Sequence, residues 1–452
     1  MSELVFQVGA IDVFHLSTIS GIFGVYIALL SLLVFRYAYR NMAGEVGRGR
    51  FLGWLVFTVL SVEGLVAAGN FAVFLGFWFA TSAGVHHLLE HFKHRQGARL
   101  VAWEKFLVSR IGDVALIVAA GLLFATRGSL NFADFASQSW SGEAAQLTAL
   151  LVVLGALTKS AQVPFHSWLP RTLEAPTAVS ALLHAGIINA GGYLLIRFGF
   201  LVQEQPVALT VLVVLGGVTA LWGGFSMLVQ ADIKRRLAWS TVGQMGFMML
   251  EIGLGAPALA LVHLMGHGFY KARAFLWSGD PKTGKSPLPA GPGRWGATVA
   301  GLLLWLATGS VGGVALGLLA GHHLVLTLVV WAALTPLAVG GWSRPNLRVR
   351  SWVASAALLG ASIALTFGAT WAFGLPDTLS GHLERDVAGL AVAAGLLVSG
   401  LFAAFSPWLS ASVLYRQLYS SALHGFGGGR WLEVLASQFL PRTKSQPFGG
   451  QS

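Results

Sequence analysis

Residues 149–170 read Ala-Leu-Leu-Val-Val-Leu-Gly-Ala-Leu-Thr-Lys-Ser-Ala-Gln-Val-Pro-Phe-His-Ser-Trp-Leu-Pro. The run is apolar and free of charge until Lys159, and five residues later Pro164 removes a backbone donor and breaks the helix. An ionisable group at membrane depth is costly and marks a functional site by default. A discontinuous helix with a charge at its break is a recurring ion site in transporters. Desolvation disfavours the charged form of an amine, so a lysine held there can exchange protons. The competing reading of Lys159 is a side chain that snorkels from a helix end to the interface.

The rest of the chain fits a membrane solvent. Of its 452 residues, 55% are hydrophobic and 10% charged, with a mean hydropathy of +0.70, whereas soluble domains carry roughly 25% charged residues. The apolar runs are continuous rather than alternating, which favours helices over a barrel. The first run, Phe14 to Tyr37, is too long for a signal-peptide core and has no basic leader, so it reads as a retained helix. There are no cysteines, so thiolate-ligated zinc, iron–sulfur clusters and disulfides are excluded; no cofactor or bound metal is expected.

Hydropathy divides the chain into thirteen segments: 14–37, 51–69, 71–90, 105–125, 146–173, 177–199, 206–230, 237–255, 256–277, 297–318, 323–341, 351–373 and 386–405. The expectation is an all-α integral membrane protein of about 13 transmembrane helices. It forms a single polytopic domain over 1–452: an N-terminal helix within 1–50, a first half over 51–200 with a broken helix at 146–173, a second half over 201–405, and a cytoplasmic tail over 406–452. With thirteen spans, 24 of the 29 basic residues fall on one side, Arg36, Lys105 and Lys234 among them. The positive-inside rule then places the N-terminus outside and the C-terminus in the cytoplasm of a bacterial inner membrane. Most of the net charge of +11 is therefore topology and not a nucleic-acid surface.

Other ionisable groups lie inside apolar runs. His184 sits among small residues, Ala185, Gly186, Gly191 and Gly192, where helices can approach closely; alone it is as readily a structural histidine as a proton carrier. His263, His267 and Lys271 recur at four-residue spacing and share one helix face along roughly 12 Å. They read as a proton relay, with a structural role or a two-histidine zinc site as the alternatives. Asp113 lies three residues after Arg110 and is placed to pair with it. Glu63 stands mid-helix with no partner along the chain, and Glu251 ends a helix and reads as interfacial. His86, His87, His91 and His94 lead into a basic loop and read as a solvated helix end or partner contact ahead of a metal site. Gly279 to Ser286 fits the phosphate-loop spacing, but a membrane helix precedes it and Pro287 follows, so no nucleotide site is expected.

The stretches Leu157–Pro170, Glu174–Ala185, Val229–Arg235, Ser240–Gly246 and His263–Ala272 together resemble the proton-translocating antiporter-like family. That family includes the large membrane-arm subunits of respiratory NADH:quinone oxidoreductase and the Mrp sodium/proton antiporters. The resemblance implies an antiporter-like bundle that carries protons along buried lysines, histidines and acids. By matching motif, Lys159 resembles the lysine of the family's broken helix and His184 the linking histidine. Lys234, His263, His267 and Lys271 resemble parts of the central axis, and Asp113 the family's Gly-Asp-Val aspartate. Family members also carry a glutamate after a Gly-Trp pair that tunes the lysine. Here Trp78, Phe79 and Ala80 stand there without an acid, and Glu63 is expected to substitute. No lysine occurs between Lys285 and Lys444, so the second half-channel is altered. Shortness and these departures most resemble the membrane subunit of DAB-type inorganic carbon accumulation systems. The resemblance implies a DabA-like zinc protein as partner on the cytoplasmic face, where proton flow would drive CO2 hydration. A redox-driven pump subunit, a sodium/proton antiporter and an inactive scaffold are the alternatives.

Overall fold

Ser17 caps the first helix: its hydroxyl accepts from the Ser20 amide at 3.3 Å, so the apolar run that follows enters helix α1 at Thr18–Asn41. The computed structural model describes residues 4–135, 138–279, 299, 302, 305, 324–342, 348–373, 383–409 and 412–439. Before the cap, β1 (Leu4–Val8) and β2 (Ile11–Leu16) form an antiparallel hairpin. Phe14 to Leu16, expected as the start of the first helix, belong to β2, where they pair with Phe6, Val5 and Leu4 of β1 ahead of the cap.

Three helices follow: α2 (Arg48–Ala67), α3 (Phe71–Leu89) and α4 (Gln96–Arg127). At 32 residues α4 extends about 48 Å, well beyond a hydrocarbon core of about 30 Å. After a short turn α5 (Phe132–Phe135) come α6 (Glu143–Lys159), α7 (Thr177–Ala185), α8 (Ala190–Arg197) and a single turn α9 (Gly199–Val202). Then follow α10 (Pro206–Leu228), α11 (Ile233–Gly253) and α12 (Pro257–Ser278). Beyond them lie α13 (Leu324–Trp342), α14 (Arg348–Phe373), α15 (Leu383–Leu409), α16 (Val413–Leu423) and α17 (Arg430–Ser437). Apart from the hairpin the described chain is helical, and seven of its described helical spans are long and apolar enough to cross a membrane. The segment 297–318, all but a few residues of it, and the phosphate-loop-like stretch after Gly279 lie outside the described residues.

Small residues set the closest helix approach. A Cβ at Gly246 on α11 would lie 2.5 Å from the Ala220 nitrogen and 2.6 Å from the Gly216 carbonyl on α10. Both neighbours are backbone and cannot turn aside, so α10 and α11 pack as a pair through glycine faces. Gly246→Ala is expected to cost about 1–3 kcal/mol by forcing the helices apart, read as a lower unfolding temperature of the protein in detergent.

Two chain breaks face each other in the centre. The first follows Lys159, as the sequence predicts: α6 stops, Ala161 takes a left-handed backbone (φ +49°), and helical structure resumes as a 3-10 turn at Leu169–Glu174. The second was not expected. The segment 177–199 is interrupted between α7 and α8 by a 3-10 turn at Ile187–Asn189. Ser160 in the first break donates to the Ile188 carbonyl in the second at 2.7 Å. The freed Ala185 carbonyl accepts from Tyr26 Oη and Asn189 Nδ2, both at 2.7 Å. Backbone groups released inside an apolar bundle are thus satisfied by protein.

The tail packs back onto the bundle. Arg171, beside the first break, reaches Glu104 on α4 at 2.6 Å and Glu433 on α17 at 2.9 Å. Trp222 donates to the Gly425 carbonyl between α16 and α17 at 3.3 Å.

Candidate functional site

Lys159 is the last residue of α6, and its aliphatic stem carries the amine across to α3, where it is 7% exposed. Nζ donates to Ser82 Oγ at 3.3 Å and to the Trp78 carbonyl at 3.4 Å, and lies 4.2 Å from the centre of the Trp78 ring. The other edge of that indole donates from Nε1 to Asp113 Oδ1 at 3.0 Å. Asp113 pairs in turn with Arg110 one helical turn earlier, the pairing their spacing predicts. Trp78 therefore stands between the amine and the acid, offering its π face to the cation and its N–H to the carboxylate.

The expected pairing of Glu63 with Lys159 is not what the structure brings together. The acid that acts on Lys159 is Asp113, with Arg110 opposing it. Glu63 lies on the side of α2 that faces α1, with Oε2 close against Gly24 and Oε1 buried without a hydrogen bond. Lys159 instead reaches α3 on its α4-facing side, and the acid available there is Asp113.

Beyond the second break the imidazoles begin. His184, at the end of α7, is fully buried; its ring stacks on Phe275 with centroids 4.4 Å apart, and Nε2 lies 3.4 Å from Thr172 Oγ1. Its Nδ1 has no hydrogen-bond partner. On α12, Lys271 is fully buried and donates to the Leu237 carbonyl at 2.8 Å. Its charge acts on both His184 and His267. Neither nitrogen of the buried His267 has a hydrogen-bond partner, and its ring centre lies 6.4 Å from that of His263. His263 closes the row: Nδ1 is 3.0 Å from both oxygens of Glu251, and Nε2 is 2.7 Å from Gln244 Oε1. The four-residue spacing of His263, His267 and Lys271 does place them on one face, as expected.

Lys234 stands apart from that row. Its amine donates to Thr177 Oγ1 at 3.1 Å, at the first turn of α7, and its charged neighbour is Asp232, the residue that caps α11. Among the described residues no three His, Cys, Asp or Glu side chains gather as metal ligands. The four histidines after Gly84 have separate partners: His86 turns to the Ala102 carbonyl, His87 stacks on Trp54 at 4.0 Å, His91 meets the edge of Phe51 at 4.9 Å and His94 that of Phe92 at 5.9 Å.

Two residues of the site escaped sequence reasoning. Glu251 is buried and paired, not interfacial, because the turn between α11 and α12 folds it back onto His263. Lys105, counted with the basic loop, is 4% exposed and donates to the Ser82 carbonyl at 2.9 Å. Its position was signalled by the four-residue stripe Lys105, Ser109, Asp113 on α4.

Residues 68–285 match the family model described as NADH:quinone oxidoreductase/Mrp antiporter, TM. The chain is 40% identical over 274 residues to the probable inorganic carbon transporter subunit DabB1 of Halothiobacillus neapolitanus, covering 59% of this chain and 49% of that one. To DabB2 of the same organism it is 34% identical over 450 residues, covering 92% and 80%. The match thus spans about half the length of the first relative and four fifths of the second. In fold it is similar to a chain of the Mrp complex from Dietzia sp., with a TM-score of 0.58 at 22% identity over 98% of this chain and 52% of that one.

Proposed function

Because the chain belongs with the DabB inorganic carbon transporter subunits in the NADH:quinone oxidoreductase/Mrp antiporter family, we propose that it is the proton-conducting membrane subunit of an inorganic carbon uptake complex. The observation that carries this reading is the row of buried amines and imidazoles at the two facing breaks. Lys159, His184, Lys271 and His267 are buried and hold few fixed hydrogen bonds, while His263 at the end of the row is held by Glu251 and Gln244. Groups of this kind exchange protons with intervening water at little cost in rearrangement.

In this reading Lys159 takes up and releases the proton at the first break, with Asp113 as its counter-charge across Trp78. His184 links it to Lys271 and His267, and the His263–Glu251 pair ends the row. Lys234 guards the opening at the start of α7. Proton flow energises CO2 hydration to bicarbonate in a DabA-like zinc protein docked on the cytoplasmic face. The chain lies in the bacterial inner membrane with its N-terminus outside and its C-terminus in the cytoplasm.

The carboxylates beside the row favour protons over sodium. Asp113 is taken by Arg110 and Trp78, and Glu251 by His263, so neither is free to build the oxygen cage a sodium ion requires. Bicarbonate accumulation by cells that depend on the complex is therefore expected to collapse with a protonophore and to continue in sodium-free medium. Accumulation that withstands the protonophore and follows the sodium gradient would replace this reading with a sodium-coupled one.

A further inference from the structure

On α3 and its C-terminal cap, Trp78, Ser82, His86 and Glu90 recur every four residues and trace one slowly winding stripe from the site of Lys159 to the helix end. Every polar member of the stripe contacts another titratable group or lines open space. Ser82 Oγ accepts from Lys159 at 3.3 Å, while the carbonyl of the same serine accepts from Lys105 at 2.9 Å. His86 Nδ1 lies 3.3 Å from the Ala102 carbonyl, one turn from Lys105 on α4, and the charge of Lys105 acts on His86. His86 Nε2 is 3.7 Å from Glu90 Oε2. Glu90 lines an open cavity of about 230 Å³ together with Arg50, Trp54, His87, His91 and Lys93.

We infer that Ser82, Lys105, His86 and Glu90 form a proton branch joining Lys159 to the basic face of the protein at the Glu90 cavity. The inference rests on the proton-conducting reading above and adds the route by which the first break communicates with water. A structural role does not account for Lys105. Its one hydrogen bond goes to a neutral carbonyl, and its charged neighbours are Lys159, Arg110 and the single acid Asp113, which Arg110 already holds. A buried ammonium without its own counter-ion is costly, and two ammonium groups sharing one serine repel each other. Passing a proton out of the pair relieves that repulsion.

The transfer needs no other reactant. The ammonium of Lys159 gives a proton to the Ser82 hydroxyl or an adjoining water, which gives its own to the free amine of Lys105. Lys105 then passes a proton by way of water to the unprotonated ring nitrogen of neutral His86, and the imidazolium releases one to Glu90 and the cavity. Lys159 ends one proton poorer and the Glu90 cavity one richer, Ser82, Lys105 and His86 return to their starting protonation, and the reverse order runs the branch the other way. The groups facing His86 from neighbouring positions are Glu90, Lys105 and His87, and those facing Lys105 are Lys159, Asp113 and Arg110.

The test measures proton flux in inverted membrane vesicles holding the complete complex, comparing Lys105→Gln, Lys105→Arg, His86→Gln and Lys159→Ala. Lys105→Gln and His86→Gln are expected to slow flux at least tenfold, and millimolar imidazole in the medium restores at least half of it. Lys105→Arg keeps the charge and a donor for Ser82 but cannot release its proton, so it stays as slow as the glutamine variant. Imidazole does not restore Lys159→Ala, which lies deeper. Full flux in Lys105→Gln, or recovery in Lys105→Arg, would show a structural or counter-charge role and overturn the branch while leaving the main reading intact. Normal flux in Lys159→Ala would instead overturn proton conduction itself. If Lys105→Gln does not accumulate in the membrane, His86→Gln decides alone, since glutamine is a polar side chain of similar reach that can still donate to the Ala102 carbonyl.

Discussion

Lys159→Ala inserts normally into the membrane and lowers proton-driven bicarbonate accumulation at least 100-fold. Insertion is safe because removing a lysine from mid-membrane favours the apolar phase by ~2.5–3.5 kcal/mol. The site therefore holds a residue that membrane partitioning disfavours, which is the signature of a group kept for its chemistry. Transport fails because Nζ is the atom that joins Ser82, Trp78 and, across the indole, Asp113. A methyl group there leaves a gap that a proton crosses only by a barrier higher by about 2.7 kcal/mol or more, which is a hundredfold in rate. Lys159→Arg sharpens the result. Arginine keeps the cation, the ring contact and the topology, yet it does not deprotonate in a protein. If Lys159 shuttles protons, the arginine variant is nearly as inactive as the alanine one. Growth on limiting inorganic carbon, with membrane abundance measured in parallel, separates the two roles: an active arginine variant would reduce Lys159 to a fixed charge.

What was legible in the sequence follows from which forces act locally. The break after Lys159 announces itself through Pro164, because proline's missing donor is a property of one residue. The row His263, His267 and Lys271 is equally local, since helix periodicity alone places the three on one face. The second break, at Ile187–Asn189, contains no proline; only Gly186, Asn189 and Gly191 hint at it, and such residues also occur in unbroken packed helices. It is held open by tertiary hydrogen bonds from Ser160 and Tyr26, which sequence spacing does not encode. The burial of Glu251 and Lys105 was missed for a related reason. Each looks interfacial by its distance from a helix end, and each is covered by another helix. The substitute acid was misplaced because Glu63 and Asp113 both sit mid-helix in apolar runs, and only packing decides which faces Lys159.

That substitution makes a second strong prediction. Asp113→Asn is expected to reduce transport at least tenfold, and adding Trp78→Glu in the same chain to recover at least half of what was lost. Asparagine is nearly the same shape as aspartate, and its Oδ1 still accepts from Trp78 Nε1, so the single variant removes charge and little else. Arg110, 44% exposed, turns to solvent when its partner is neutral. What is lost is the attraction that steadies a proton on Lys159. For a pair about 6 Å apart at an effective dielectric of about 20 this is ~3 kcal/mol, ample for a tenfold effect. Family members place their acid beside the Gly-Trp pair, the neighbourhood that Trp78 occupies here. A glutamate at position 78 would return the charge to the amine from the opposite side of the missing indole. The exchange of a buried tryptophan leaves a cavity and lowers stability by roughly 3–5 kcal/mol, so the double variant is scored per molecule in the membrane. If Asp113 matters only for packing against Trp78, Asp113→Asn is nearly silent and the double variant is worse than either change alone. Recovery in the double variant is the outcome that only a counter-charge role produces.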